Sequence, residues 1–414
     1  MRKYSLISAL LAGALVLSGC SGSDDAAGAK SLQFLLSGDA SQGGGYQAMA
    51  DKYEKETGVH VEIVDVPYDD LTTRLRSGAQ ANNLPALARA SEVDPLWQSA
   101  LQDLSDIAEK EKVLPSLLVR NADDEVQALP SDLTAVGLFL NKTLFDKAGV
   151  KYPGIDDKPW TWDEYVAALK KVQAATGAKY GMVMDGSAHR LRSFLYQFGS
   201  KGVQKQADGS YALDATGGQA LEYFKGLNDD KVMPKSVWVS GDDPSALFKS
   251  GQVAAYYSGV WQVTDFAENI TDFEWTTALM PAQPVRATNI GTNWIVAFDG
   301  TGVEKETKEF LSWLYRQDNY TELSQIAGFL PAEEGLSVTY KTSQDAFAMF
   351  NAEIAASDEI AGYQATTALA DSYEGRLLNS EPLKDQTIKY LAGEQDLATT
   401  VKAIGDDTTK QYSK

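Results

Sequence analysis

The groups able to do chemistry in this sequence are carboxylates and aromatic rings, because sulfur and imidazole are almost missing. One residue of 414 is Cys (Cys20) and two are His (His60 and His189), against 57 Asp+Glu, 19 Tyr and 8 Trp. That scarcity excludes disulfide scaffolds, cysteine-rich zinc sites and His-rich metal cages, and no cofactor is expected. No G-x-S-x-G or H-E-x-x-H occurs, and the Gly-rich run SGDASQGGG has neither the lysine nor the spacing of a phosphate loop. Two carboxylates at a fixed separation are all that a glycosidase needs, so composition leaves a secreted carbohydrate-active enzyme open. The same residue types also make a sugar-binding site, in which planar polar groups take hydroxyls and Trp or Tyr rings take flat C–H faces.

These groups must be positioned by a large folded body. The chain is 44% hydrophobic and 23% charged, ordinary for a folded protein, and its length points to two domains. With 37 Lys+Arg the net charge is −20, a surface that repels phosphate backbones, so nucleic acid is not an expected partner. Leu32–Leu36 reads as a strand running into the Gly-rich loop. Tyr46, Met49, Ala50 and Tyr53 then fall at helical spacing, with Gly58 as the stop. Val59–Val64 alternates as a strand that puts His60 on the solvated face, and a helix follows from Asp69 to about Ala79. This strand–helix order argues for an α/β layer with a largely parallel sheet. Further on, Thr161 and Glu164 have capping-box spacing ahead of a helix whose inner face carries Tyr165, Leu169 and Val172 and which Gly177 ends. Trp160 and Trp162 flank that cap and read as structural. No fixed-period repeat is visible.

The first twenty residues form an address. Arg2 and Lys3 precede a twelve-residue apolar or small run, Leu6–Leu17, too short to span a bilayer as a helix. The segment ends in Leu17-Ser18-Gly19-Cys20, which resembles the lipobox of bacterial lipoproteins. That resemblance implies a signal peptide over 1–19, lipid attached to Cys20, and a polar tether over 20–30. The mature protein then sits on the extracytoplasmic face of the cell membrane, on a Gram-positive surface or otherwise in the periplasm.

Beyond the tether the chain resembles the extracellular solute-binding proteins of ABC importers, in the sugar-binding family that includes maltose-binding protein. The resemblance rests on an ordered set: the opening strand and loop, YEKETGVHVEI, LNKTLFDKAGV, PWTWDEYVAALKK, ALFKSGQVAAYYSGVW, IGTNWIVAF and GFLPAEEG. Two departures stand out, Pro85-Ala86 where family members carry Pro-Asp, and Leu140-Asn141 where they carry Tyr-Asn. The resemblance implies two α/β lobes, each a mostly parallel sheet flanked by helices. Lobe one comprises 31–138 plus 288–331 and lobe two 139–287 plus 332–414, joined by hinge strands that close over ligand. It implies a monomer that captures an oligosaccharide and passes it to membrane permease subunits.

Matched to family positions, the implied carbohydrate contacts are Ser37 and Asp39 in the first loop, Ser91 and Glu92, and Asp132 before a hinge strand. In the second lobe they are His189, Arg190, Tyr257 and Trp261, with Thr292, Asn293 and Trp294 at the hinge and Tyr373 beyond it. Trp261 is the leading aromatic platform, with a core Trp as the alternative. Tyr256-Tyr257 is similar to the paired tyrosines of ferric-iron-binding receptors of the same fold, although neighbours in a strand point to opposite faces.

The lipobox reading makes a direct prediction. Cys20→Ser removes the only thiol in the chain and releases the protein from membranes into the aqueous phase of a detergent partition; retention in the detergent phase overturns the anchor.

Overall fold

A computed structural model describes residues 31–358, Ile360 and 381–412; Cys20, the tether and Tyr373 lie outside the described residues. Twelve strands are described: β1 Ser31–Leu36, β2 His60–Asp65, β3 Leu87–Ala90, β4 Val119–Arg120, β5 Val126–Pro130, β6 Val136–Asn141, β7 Tyr180–Met184, β8 Val203–Lys205, β9 Tyr211–Leu213, β10 Val253–Gly259, β11 Trp275–Ala278 and β12 Trp294–Ala297. They form a six-stranded sheet of order β2-β1-β3-β12-β5-β4, a four-stranded sheet of order β11-β6-β10-β7, and the small hairpin β8-β9. Each large sheet has its own core. In the first, Leu32, Phe34 and Leu36 pack on one face with Phe310 and Leu314, while Leu35 joins Ala88, Val296 and Trp294 on the other. The period-two alternation of strand side chains produces this division. The second core gathers Phe139, Trp162, Tyr256, Tyr257 and Phe266, together with Leu383 and Ile404 from the C-terminal helices.

The sheets are mixed, which corrects the expectation of mostly parallel lobes. β1 pairs in parallel with β2 and β3, and β10 with β7. The pairings of β12 with β3 and β5, of β4 with β5, and of β6 with β10 and β11 are antiparallel. β6 and β12 are each entered from a segment that has just left the other sheet, so they lack the helical crossover that a parallel neighbour needs.

Three such segments join the lobes, over 131–135, 279–293 and 328–343, and they are hydrogen-bonded side by side. Thr134 and Gly291 exchange backbone bonds (2.8 and 3.0 Å), and Leu133 N–H donates to the Leu330 carbonyl at 2.7 Å. The Thr288 hydroxyl accepts from Val136 N–H at 2.8 Å and donates back to its carbonyl at 2.7 Å. β6 is already paired in the second sheet at Val136, ahead of the division at 138 expected from the sequence. Local expectations hold where local chemistry decides. The helix Trp162–Thr176 starts on a complete Thr161/Glu164 capping box and ends at Gly177 in the left-handed conformation. His60 is exposed beside Glu54.

Glu333, in the third crossing, is nearly fully buried and its Oε1 has no hydrogen-bond partner. Burial, reinforced by the Glu111 carboxylate, pushes its carboxyl up to about 8. An unfolded glutamate titrates near 4.3. The folded state therefore holds a proton that the unfolded state has lost, and stability falls as pH rises between the two values. Glu333→Gln removes that loss and gains up to ~4 kcal/mol at pH 8, with little change at pH 4.5. Urea unfolding of both proteins across this range measures the difference; parallel pH profiles overturn it.

Candidate functional site

The site is built where the N-terminus of the helix Tyr68–Gln80 and the turn after β3 face the helix Ala188–Gln197 and the turn after β10. Pro67 precedes Tyr68 at the helix start, leaving the Tyr68 side chain on the surface at 55% exposure, the most exposed of the large hydrophobic residues described. Protein nonetheless stands close around it. Burial pushes its phenol up, while Ser91, Arg89 and Arg190 pull it back and Glu92 pushes it up. Arg190 belongs to the second lobe and the other three to the first, so Tyr68 reports both walls of one gap. Glu92 does the same. Its carboxyl is raised by burial, lowered by Arg76, and raised again by Asp94 and by Glu381 of the second lobe.

The second wall is organised by Asp185, just after β7. Its carboxylate accepts from Arg190 Nε (2.7 Å) and Nη2 (2.6 Å), from the Ser258 hydroxyl (2.8 Å) and from the Tyr256 hydroxyl. Held there, the Arg190 guanidinium lies 4.3 Å from the Trp261 ring centroid, a cation–π stack. Trp261 in turn folds back on the end of β10, because a Cβ on Gly259 would fall 1.9 Å from its ring. The flat surface of this wall is therefore a layered Gly259–Trp261–Arg190 arrangement. His189, on the same helix, keeps an edge open to solvent, but the protein crowded around its ring, with Arg192 and Arg190, holds its imidazole down to about 3, and so it is neutral at ordinary pH. The Asn289 amide lies 3.5 Å from His189 Nδ1, at the hydrogen-bond limit, and its own Oδ1 is buried without a partner.

Among the residues expected from the sequence, Ser91, Glu92, His189, Arg190 and Trp261 meet across this gap. Ser37 lies at the end of β1, its carbonyl accepting from Arg89 at 3.4 Å. Asn293 and Thr292 lie in the second crossing, Thr292 with its hydroxyl on the Asn293 carbonyl. Four expectations are corrected. Asp39 is buried and its oxygens accept from Tyr46 N–H (2.8 Å) and Gln47 N–H (3.0 Å), capping a helix start. Asp132 is spent on Arg89 at 3.2 Å, with both groups buried. Tyr257 lies inside the second core, its hydroxyl held by Ser193 (2.6 Å) and Gln197 (3.0 Å). Trp294 lies inside the first, its indole N–H donating to the Leu117 carbonyl at 2.8 Å. Tyr256 reaches Asp185 while Tyr257 reaches Ser193, so the tyrosine pair is split between different partners and does not converge on one ion. Among the described residues no group of three or more His, Cys, Asp or Glu could hold a metal.

Sequence reasoning missed Tyr68, Asp185 and Asn289. The one local signal was a Tyr directly after Pro67 at a helix start; nothing local marked the other two.

The chain belongs to the bacterial extracellular solute-binding protein family, which matches residues 48–351. A Brucella abortus protein described as a binding protein is 26% identical over 329 residues, 74% of this chain and 77% of its own. The arabinooligosaccharide-binding protein of Bacillus subtilis is 24% identical over 294 residues, 66% of each chain. Among solved structures, the GacH receptor of Streptomyces glaucescens superposes with a TM-score of 0.73 at 20% identity, covering 93% of this chain and 99% of that one. A solute-binding protein of Thermotoga lettingae gives 0.74 at 20%, covering 92% and 100%. The two-lobed α/β fold is thus shared.

Asp185 is the member of the wall whose loss is most informative. Asp185→Asn leaves Arg190, only 11% exposed along its side chain, without a counter-charge and is expected to cost about 2–4 kcal/mol of stability. It also frees the guanidinium from Trp261, which appears as greater acrylamide quenching of tryptophan emission; unchanged stability and quenching overturn this account of the wall.

Proposed function

We propose that this chain is the receptor of a carbohydrate ABC importer, capturing an oligosaccharide between its lobes and presenting it to membrane permease subunits. One observation carries the reading. The exposed Tyr68 ring on the first lobe stands within electrostatic reach of the Arg190–Trp261 stack on the second, with Ser91, Glu92 and His189 around them. A flat, polar-edged ligand fits such a gap: its C–H faces meet the ring and the guanidinium plane, and its hydroxyls meet the carboxylate and the neutral imidazole. The relatives named for arabinooligosaccharides and galactooligosaccharides support the same class.

In the mechanism, ligand settles on one wall in the open state and closure about the three crossings adds the other wall's contacts. Ligand thereby favours the closed form by its differential affinity, and the closed form docks on the permease. The protein works as a monomer without cofactor, as a binder rather than an enzyme, tethered through Cys20 outside the cytoplasmic membrane.

A thermal-shift screen against arabino-, galacto- and malto-oligosaccharides tests the reading. A ligand at 100 times its dissociation constant adds roughly 2.7 kcal/mol of stability, which raises the melting temperature by a few degrees. The bound sugar should be recovered uncleaved after overnight incubation. Silence across the panel overturns the ligand class, and cleavage overturns the receptor.

A further inference from the structure

We infer that the site accepts uncharged or amino-bearing sugars and rejects sugar acids and sugar phosphates, because each arginine at the gap among the described residues is already neutralised by a carboxylate of the protein. The inference rests on the carbohydrate reading above and names the charge class of its ligand. Four arginines are involved. Arg190 is held by Asp185 at 2.6 Å and Arg192 by Glu381 at 2.9 Å. Arg89 is held by Asp132 at 3.2 Å, and Arg76 is held by Asp94 with Glu92 at 3.7 Å. Among the described residues, the charged groups that act most strongly on Tyr68, Glu92 and His189 are these arginines together with Glu92, Asp94 and Glu381. His189 adds no positive charge, since its imidazole is neutral at ordinary pH.

Among the described residues at the gap, the carboxylates of two of these pairs are more open to solvent than their arginines. Glu92 and Glu381 are 40% and 42% exposed along their side chains, one on each wall, while their partners Arg76 and Arg192 are 29% and 19% exposed. A ligand carboxylate or phosphate placed between them would lie beside like charges and would have to take an arginine from an existing partner, stranding a charge in a poorly hydrated place. A hydroxyl donates to either glutamate, and an ammonium group does so with charge assistance. The body of the protein acts in the same direction over longer range, since a net charge of −20 lowers the local concentration of anions.

The experiment measures calorimetric affinity for two linkage-matched sets. One comprises the α-1,4 disaccharides of galactose, galactosamine and galacturonate; the other comprises those of glucose, glucosamine and glucuronate. In whichever set binds, the acid is expected to be at least about tenfold weaker than its neutral and amino counterparts, and the gap to widen at low salt. Glu381→Gln, which releases Arg192, is expected to narrow it. An acid that binds as tightly as its neutral counterpart overturns this inference and leaves the carbohydrate reading standing. Silence from both sets together with the oligosaccharide panel overturns both.

Discussion

The interaction on which the arrangement of this molecule depends is the buried pair between Arg89 and Asp132. Arg89 lies in β3 and Asp132 at the start of the first crossing, and the two are 6% and 2% exposed. The guanidinium also donates to the Ser131 hydroxyl at 2.9 Å and to the Ser37 carbonyl at 3.4 Å, and lies 5.1 Å from the Phe329 ring centroid and 6.0 Å from that of Tyr46. One side chain thus ties together the loop after β1, a central strand, the first crossing and the start of the third. Removing either charge would leave the other buried and uncompensated, a loss of about 3–5 kcal/mol. The hydroxyls of Tyr315 and Tyr320, stacked at 5.4 Å, fix the same corner by donating to the Pro130 and Ser131 carbonyls. Everything up to Asp132 is consequently fastened to lobe one, and residues 133–136 are those that lead from it into the second sheet.

Much of the fold could be read from the sequence because it is encoded locally. The Thr161/Glu164 box, the Gly58 and Gly177 stops, the apolar run of β1 and the alternation in β2 each involve residues within a few positions of one another, and each appears where spacing put it. Parallel against antiparallel pairing is different. β12 lies between β3 and β5, far from it along the chain, and its direction follows from the route of the crossings, which no local spacing records.

The site was legible in part for the same reason. Trp261 and Arg190 were singled out because a turn after a Gly and a helix start are local features, and the structure stacks one on the other. Tyr257 and Trp294 were misplaced because aromatic residues in a strand alternate faces, and which face is the core depends on the sheet they join. Asp39 and Asp132 were misplaced because their partners, the Tyr46 and Gln47 amides and Arg89, give them structural work that their sequence neighbourhood does not show. Asp185 was missed outright. Its importance lies in collecting Tyr256, Ser258 and Arg190, three residues brought to one point by the pairing of β7 with β10.

On the proposed receptor reading, the same geometry explains why closure needs a ligand. An aromatic ring left 55% exposed in Tyr68 leaves on the order of 100 Å² of mostly apolar surface in water, and covering it is worth roughly 2–3 kcal/mol. Empty closure would gain that term only if the opposite wall fits the ring, and that wall is tied together internally: Asp185 holds Arg190, Arg190 covers Trp261, and Gly259 lies against the indole. Empty closure also brings Glu92 toward Glu381, a repulsion of about 1 kcal/mol in a wet gap. A ligand whose flat faces match ring and guanidinium, and whose donors lie between the two carboxylates, supplies the missing fit and turns the repulsion into hydrogen bonds. It does so only when both walls are engaged. That difference in contacts between the open and closed states is what allows a bound solute, rather than the protein alone, to set the conformation.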